Sequence, residues 1–173
     1  MLRCIKTCSE AFAFEGGSNT TMPYRHTQSG ITILATCAAI GILGAVIAWR
    51  ITGQPATLVA MAIVLAGICV VFHSLTVEIE GDELRWYFGL GLWTYRLAFD
   101  EIRSVSVVRN HWSNGFGIRK APGFILYNVS GLDAVELKLK SGEIRRIGTD
   151  DPSGLAAALN AGLRSQKASY SSR

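Results

Sequence analysis

Residues Ile31–Trp49 read ITILATCAAIGILGAVIAW, apolar or small on every face that a helix could present. At 1.5 Å per residue these 19 residues reach roughly 28 Å, close to the hydrocarbon thickness of a bilayer. A second run, Ala56–Phe72 (ATLVAMAIVLAGICVVF), is again free of charge and lies between Pro55 and His73. The link Arg50-Ile-Thr-Gly-Gln-Pro55 is short and turn-like, so the two runs predict a transmembrane helical hairpin over residues 31–73. Two consecutive helices that are apolar all round would swamp so small a soluble core. A cleaved signal peptide does not begin thirty residues into a chain with a second span behind it.

Outside the hairpin the chain has a different character. Over all 173 residues it is 49% hydrophobic and 17% charged, against about 25% charge in an ordinary soluble domain. That excludes disorder for most of the chain, and four cysteines are too few for a disulfide scaffold. From Ser74 onward there are 13 basic and 11 acidic residues. This near balance implies no nucleic-acid surface. A hundred residues of this composition are enough for one compact domain.

The period in this second part is two. Leu75, Val77 and Ile79 alternate with polar residues, Gly81-Asp82 turns the chain, and Leu84, Trp86 and Phe88 resume the alternation up to Gly89-Leu-Gly91. Trp93, Tyr95, Leu97 and Phe99 form the next run, which Asp100-Glu101 breaks before Val105 and Val107. Asn110–Pro122 reads as a loop and Phe124–Val129 as a strand. Val135, Leu137 and Leu139 lead into a two-residue turn at Ser141-Gly142, from which Glu143–Gly148 pairs back. Lys138 and Lys140 are expected to face Glu143. Asp150-Asp151-Pro152 is an N-cap followed by proline at the first helical position, and Leu155, Leu159 and Leu163 form one apolar helical stripe. The expected fold class is therefore α+β: a transmembrane helical hairpin, then an antiparallel β-sandwich or barrel of about seven strands with a C-terminal α-helix. Residues 1–30 and 165–173 are expected to be disordered, the β domain filling 74–164. Met22 would serve as a natural start. Cys4 and Cys8, four apart, lack the further ligands that a metal site needs.

Two stretches carry a resemblance. Gly117–Leu137 (GIRKAPGFILYNVSGLDAVEL) and Arg146–Pro152 (RIGTDDP) look like the bacterial pleckstrin-homology-like (PH-like) membrane proteins. These are small proteins with two N-terminal spans and a cytoplasmic PH-like domain. The likeness covers about Arg25 to Leu163. It implies a PH-like sandwich in a bacterial inner membrane, but a fold does not fix an activity. Arg25, Arg85 and Arg96 at the outer ends of the spans, against Arg50 in the turn, place both termini in the cytoplasm.

No nucleophile–base arrangement, metal spacing or phosphate loop is present, so neither catalysis nor a cofactor is expected. The segment RNHWSNGFGIRKAP carries the candidate site: Arg109, His111, Arg119 and Lys120 would attract anionic headgroups, and Trp112 suits a membrane interface. The competing reading is a structural loop with solvated cations. Asn128 and Ser130 are expected to make turn hydrogen bonds before Gly131. The expected role is a binding or scaffold module for a partner protein or an anionic headgroup. The alternatives are an accessory subunit of a larger membrane complex and an enzyme with an unrecognised site. Gly41/Ala45 and Ala62/Ala66 are spaced for close helix approach, within the hairpin or between copies as a homo-oligomer.

Overall fold

The computed structural model describes residues 24–171. Helices occupy both charge-free runs, α1 over Ile31–Thr52 and α2 over Pro55–Phe72. Gly53 ends α1 in the left-handed conformation, and Pro55 opens α2 where its missing N–H is not needed. Neither helix has a buried residue, and both are long and apolar enough to cross a membrane. A Cβ on Gly41 would stand 2.7 Å from Leu65 Cδ1, so the missing side chain lets the helices approach each other within the hairpin.

Two sheets follow. Strands β1 (Tyr24–Ser29), β2 (Ser74–Glu80), β3 (Glu83–Phe88) and β4 (Thr94–Ala98) form an antiparallel sheet in the order β1-β2-β3-β4. Strands β5 (Ile102–Arg109), β6 (Gly117–Ala121), β7 (Phe124–Asn128), β8 (Asp133–Leu139) and β9 (Ile144–Gly148) form the second sheet. Its order is β5-β8-β9-β7-β6, antiparallel except for the parallel pair β7–β9. Helix α3 (Pro152–Ser171) closes the domain.

Several expectations are corrected. Residues 24–29 are not disordered but pair with β2, Tyr24 opposite Ile79 and Ser29 opposite Ser74; residues 1–23, with Cys4, Cys8 and Met22, lie outside the described residues. Among the described residues the strands number nine rather than about seven, β1 and β6 being the additions. The parallel β7–β9 pair departs from an all-antiparallel sandwich. Helix α3 runs on past Leu163 to Ser171, since Arg164, Gln166, Lys167 and Ala168 are good helix formers and no glycine or proline stops them. Lys138 reaches Glu136 at 3.8 Å, while Glu143 is taken by Arg145 at 2.8 Å. That bond from Arg145 holds the Glu143 carboxyl below its ordinary range, with burial opposing it.

The inward residues of β2 and β3 are buried as their alternation predicts, Leu84 and Trp86 completely. The Trp86 ring stacks on Tyr95 with centroids 5.6 Å apart and meets Tyr127 edge-on at 5.3 Å, which ties the two sheets together. Leu155 and Leu159 bring α3 onto this core. Asp151 caps the helix, its Oδ1 accepting the Gly154 N–H at 2.9 Å, and its Oδ2 accepts the Tyr24 hydroxyl at 3.3 Å. Burial, reinforced by Asp151 and Asp150, pushes that hydroxyl well above the usual tyrosine range. Asp151→Ala removes both bonds and is expected to cost about 1–2 kcal/mol, read as a lower midpoint in chemical denaturation. An unchanged midpoint would show that the cap carries no weight.

Candidate functional site

The pairing of β1 with β2 brings both ends of the hairpin to one end of the first sheet. The Gly30 N–H donates to the His73 carbonyl at 2.7 Å, and a Cβ on Gly30 would stand 3.0 Å from that same carbonyl oxygen. Three loops of the β domain gather against this hairpin base. The β3–β4 loop meets it through Phe72, which packs edge-on to Phe88 at 5.4 Å and stacks on Trp93 at 6.5 Å. The β7–β8 turn meets it where the Ser130 hydroxyl bonds the Thr32 hydroxyl at 2.9 Å and the Ser130 carbonyl accepts from Gln28 Nε2 at 3.0 Å. Asn128 holds that turn as expected, its Nδ2 donating to the Gly131 carbonyl and its Oδ1 accepting the Ser130 N–H.

The third loop belongs to the candidate segment. β5 and β6 are the two edges of the five-stranded sheet. Four strand spacings, about 19 Å, separate them, and residues 110–116 cross that width. A polar network on the outer face of the sheet anchors the start of the crossing. Arg146 donates through Nε to Glu136 Oε2 at 2.8 Å and through Nη1 to Asn110 Oδ1 at 3.1 Å, while its guanidinium lies 3.8 Å from the centre of the Phe124 ring. Glu136 and Asn110 are both buried. Beyond the crossing, Gly115–Arg119 face the hairpin across an open groove of about 460 Å³. Its other wall is Ile33, Thr36 and Cys37 of α1 with Ile68 and Phe72 of α2.

The candidate residues divide. The expected loop over 110–122 is a strand from Gly117 to Ala121, so Arg119 and Lys120 point to opposite faces. Arg119 turns back over the segment, its Nε donating to the Phe116 carbonyl at 3.2 Å, and lines the groove. Lys120 lines a separate cavity with Phe124, Glu143 and Ile144. Arg109 ends β5 opposite Asp133, at the far edge of the sheet from Arg119. His111 opens the 3-10 turn Trp112–Asn114, its Nδ1 accepting the Ser113 N–H and bonding the Ser113 hydroxyl at 2.8 Å. Trp112 beside it is 73% exposed. Ile33, Thr36, Ile68 and Phe72 were not anticipated as site residues, because within an apolar span they read like any other lipid-facing side chain.

Comparison of the chain with family models and with curated proteins gives no match.

Proposed function

We propose that this is an integral membrane protein whose hairpin holds the β domain against the bilayer, and whose groove at the hairpin base takes an anionic lipid. The apolar wall of Ile33, Ile68 and Phe72 suits an acyl chain, and Arg119 at the opposite wall suits the headgroup. This juxtaposition of a span-side apolar wall with a cation is the observation that carries the reading. Both helices expose apolar side chains all round, Ile42 at 68% and Ile63 at 66% for example; water would penalise that surface and lipid would not.

On this reading both termini lie on the cytoplasmic side of a bacterial inner membrane. The strand pairing supports a common side for the two helix ends, and Arg50 is the sole charge at the hairpin tip. The β region then reads as PH-like, two sheets closed by a C-terminal helix, with β1 and the parallel β7–β9 pair as this chain's additions. The role is binding, and no catalytic step is assigned.

The test is native mass spectrometry of the full chain, released from detergent with phosphatidylglycerol or phosphatidylcholine. Preferential retention of phosphatidylglycerol is expected. Arg119→Ala should weaken it about fivefold, the equivalent of one basic residue near a headgroup, and Lys120→Ala should leave it unchanged. Equal retention by the wild type and Arg119→Ala would overturn the assignment.

A further inference from the structure

The β3–β4 loop reads Gly89-Leu-Gly-Leu-Trp93, and no charged residue occurs between Arg85 and Arg96. Leu90 is 72% exposed, Leu92 68% and Trp93 51%. Three large apolar side chains on a five-residue loop are costly in water, and such patches mark interaction surfaces.

The height of this loop along the hairpin is fixed by backbone contacts. The Gly89 N–H donates to the Ser74 carbonyl at 2.9 Å, and Gly89 lies so close to the last turn of α2 that a Cβ would stand 2.5 Å from the Val71 oxygen. The loop therefore starts level with the end of a helix long and apolar enough to span a bilayer. It is also held in shape. The Gly91 N–H bonds the Phe88 carbonyl at 2.9 Å, and the Thr94 hydroxyl donates to the Gly91 carbonyl at 3.1 Å. With the turn closed in this way, both leucines stay exposed while Trp93 stacks on Phe72. Tryptophan at the end of a span, with leucines beside it, is the composition of a membrane–water boundary.

We propose that the Gly89–Trp93 loop is embedded in the headgroup–acyl boundary of the same leaflet as the hairpin base, a third membrane contact that fixes the tilt of the β domain. The occupant of the leucine patch is thus lipid. The patch continues directly from the end of α2, and the loop carries no charged side chain to meet a soluble partner. This inference rests on the reading that the hairpin spans a bilayer, but not on the lipid groove.

The test uses the full chain with its four cysteines replaced by alanine and a single new cysteine carrying an environment-sensitive NBD fluorophore. The labelled variants are Leu92→Cys, Leu90→Cys, Leu43→Cys in the middle of α1 and Ser141→Cys at the β8–β9 turn. Each is reconstituted in phosphatidylcholine–phosphatidylglycerol vesicles and exposed to doxyl-labelled lipid or to aqueous iodide. Labels at 90 and 92 are expected to be quenched severalfold more by doxyl lipid than by iodide, as at 43, with the reverse at 141. Iodide quenching at 90 and 92 with lipid quenching at 43 would overturn the loop insertion and leave the spanning hairpin standing. Iodide quenching at 43 as well would overturn both. Shielding of 90 and 92 from both quenchers would assign the patch to a protein contact and overturn the proposal.

Discussion

Replacing Gly89 by valine is expected to destabilise the protein by about 3–5 kcal/mol, combining left-handed strain with overpacking. Gly89 has φ +49, a conformation in which a β-branched side chain collides with its own backbone. Its Cβ would also lie 2.5 Å and 2.6 Å from the carbonyl oxygens of Val71 and Val70. Those oxygens belong to the last turn of α2 and cannot retreat without disturbing it. Gly91→Val separates the two causes, because φ there is +81 but only Tyr87 Cδ2 comes near, at 3.6 Å. It should show the conformational cost alone. Denaturation of both variants in the same detergent gives the comparison. Equal losses would mean that the approach of the loop to α2 contributes nothing.

The second large effect is expected at Glu136. This residue is 7% exposed, and both Arg146 Nε and Nη2 reach its Oε2 at 2.8 Å. Glu136→Ala leaves the guanidinium of Arg146 short of its counter-charge with only about a fifth of its side chain in solvent. Breaking a largely buried pair in this way costs about 3–4 kcal/mol. Replacing both partners, Glu136→Leu with Arg146→Met, should recover much of the loss, since an apolar pair of similar volume is close to neutral. The double variant nevertheless still lacks the bond from Arg146 to Asn110 that holds the start of the crossing. Amide exchange over residues 110–116 is therefore expected to rise in the double variant, which alone loses Arg146, while denaturation midpoints fall far only in the first. Unchanged exchange would show that the crossing is held by something other than Arg146.

The hairpin was legible because absence of charge over two spans leaves few alternatives, and β2 and β3 because one face of each meets the core. β1 was not legible. Its sequence YRHTQS shows no apolar alternation, and it becomes a strand only because β2, on the far side of two helices, offers it a hydrogen-bonding edge. β6 fails for a related reason. As an edge strand with Ile118, Arg119 and Lys120 all exposed, it carries no pattern of burial to read. The candidate site was half legible for the same cause. Arg119 and Lys120 are neighbours in sequence and look like one cationic patch, but strand geometry sends them to different faces. The apolar wall opposite Arg119 is set by how the hairpin docks, and local composition does not encode that.

The pairing of Ser29 with Ser74 and Tyr24 with Ile79 closes a ring of chain through the whole hairpin. During synthesis β1 leaves the ribosome first and has to wait for α1, the turn and α2 before its partner exists. If only one of the two helices entered a bilayer, β1 and β2 would finish on opposite sides and the first sheet would keep a bare edge at β2. On the proposed spanning reading, completion of that sheet requires the two helices to cross together. On that reading a chain with one helix left outside the bilayer would keep the β2 edge unpaired, so the pairing of β1 with β2 ties the first sheet to the topology of the hairpin.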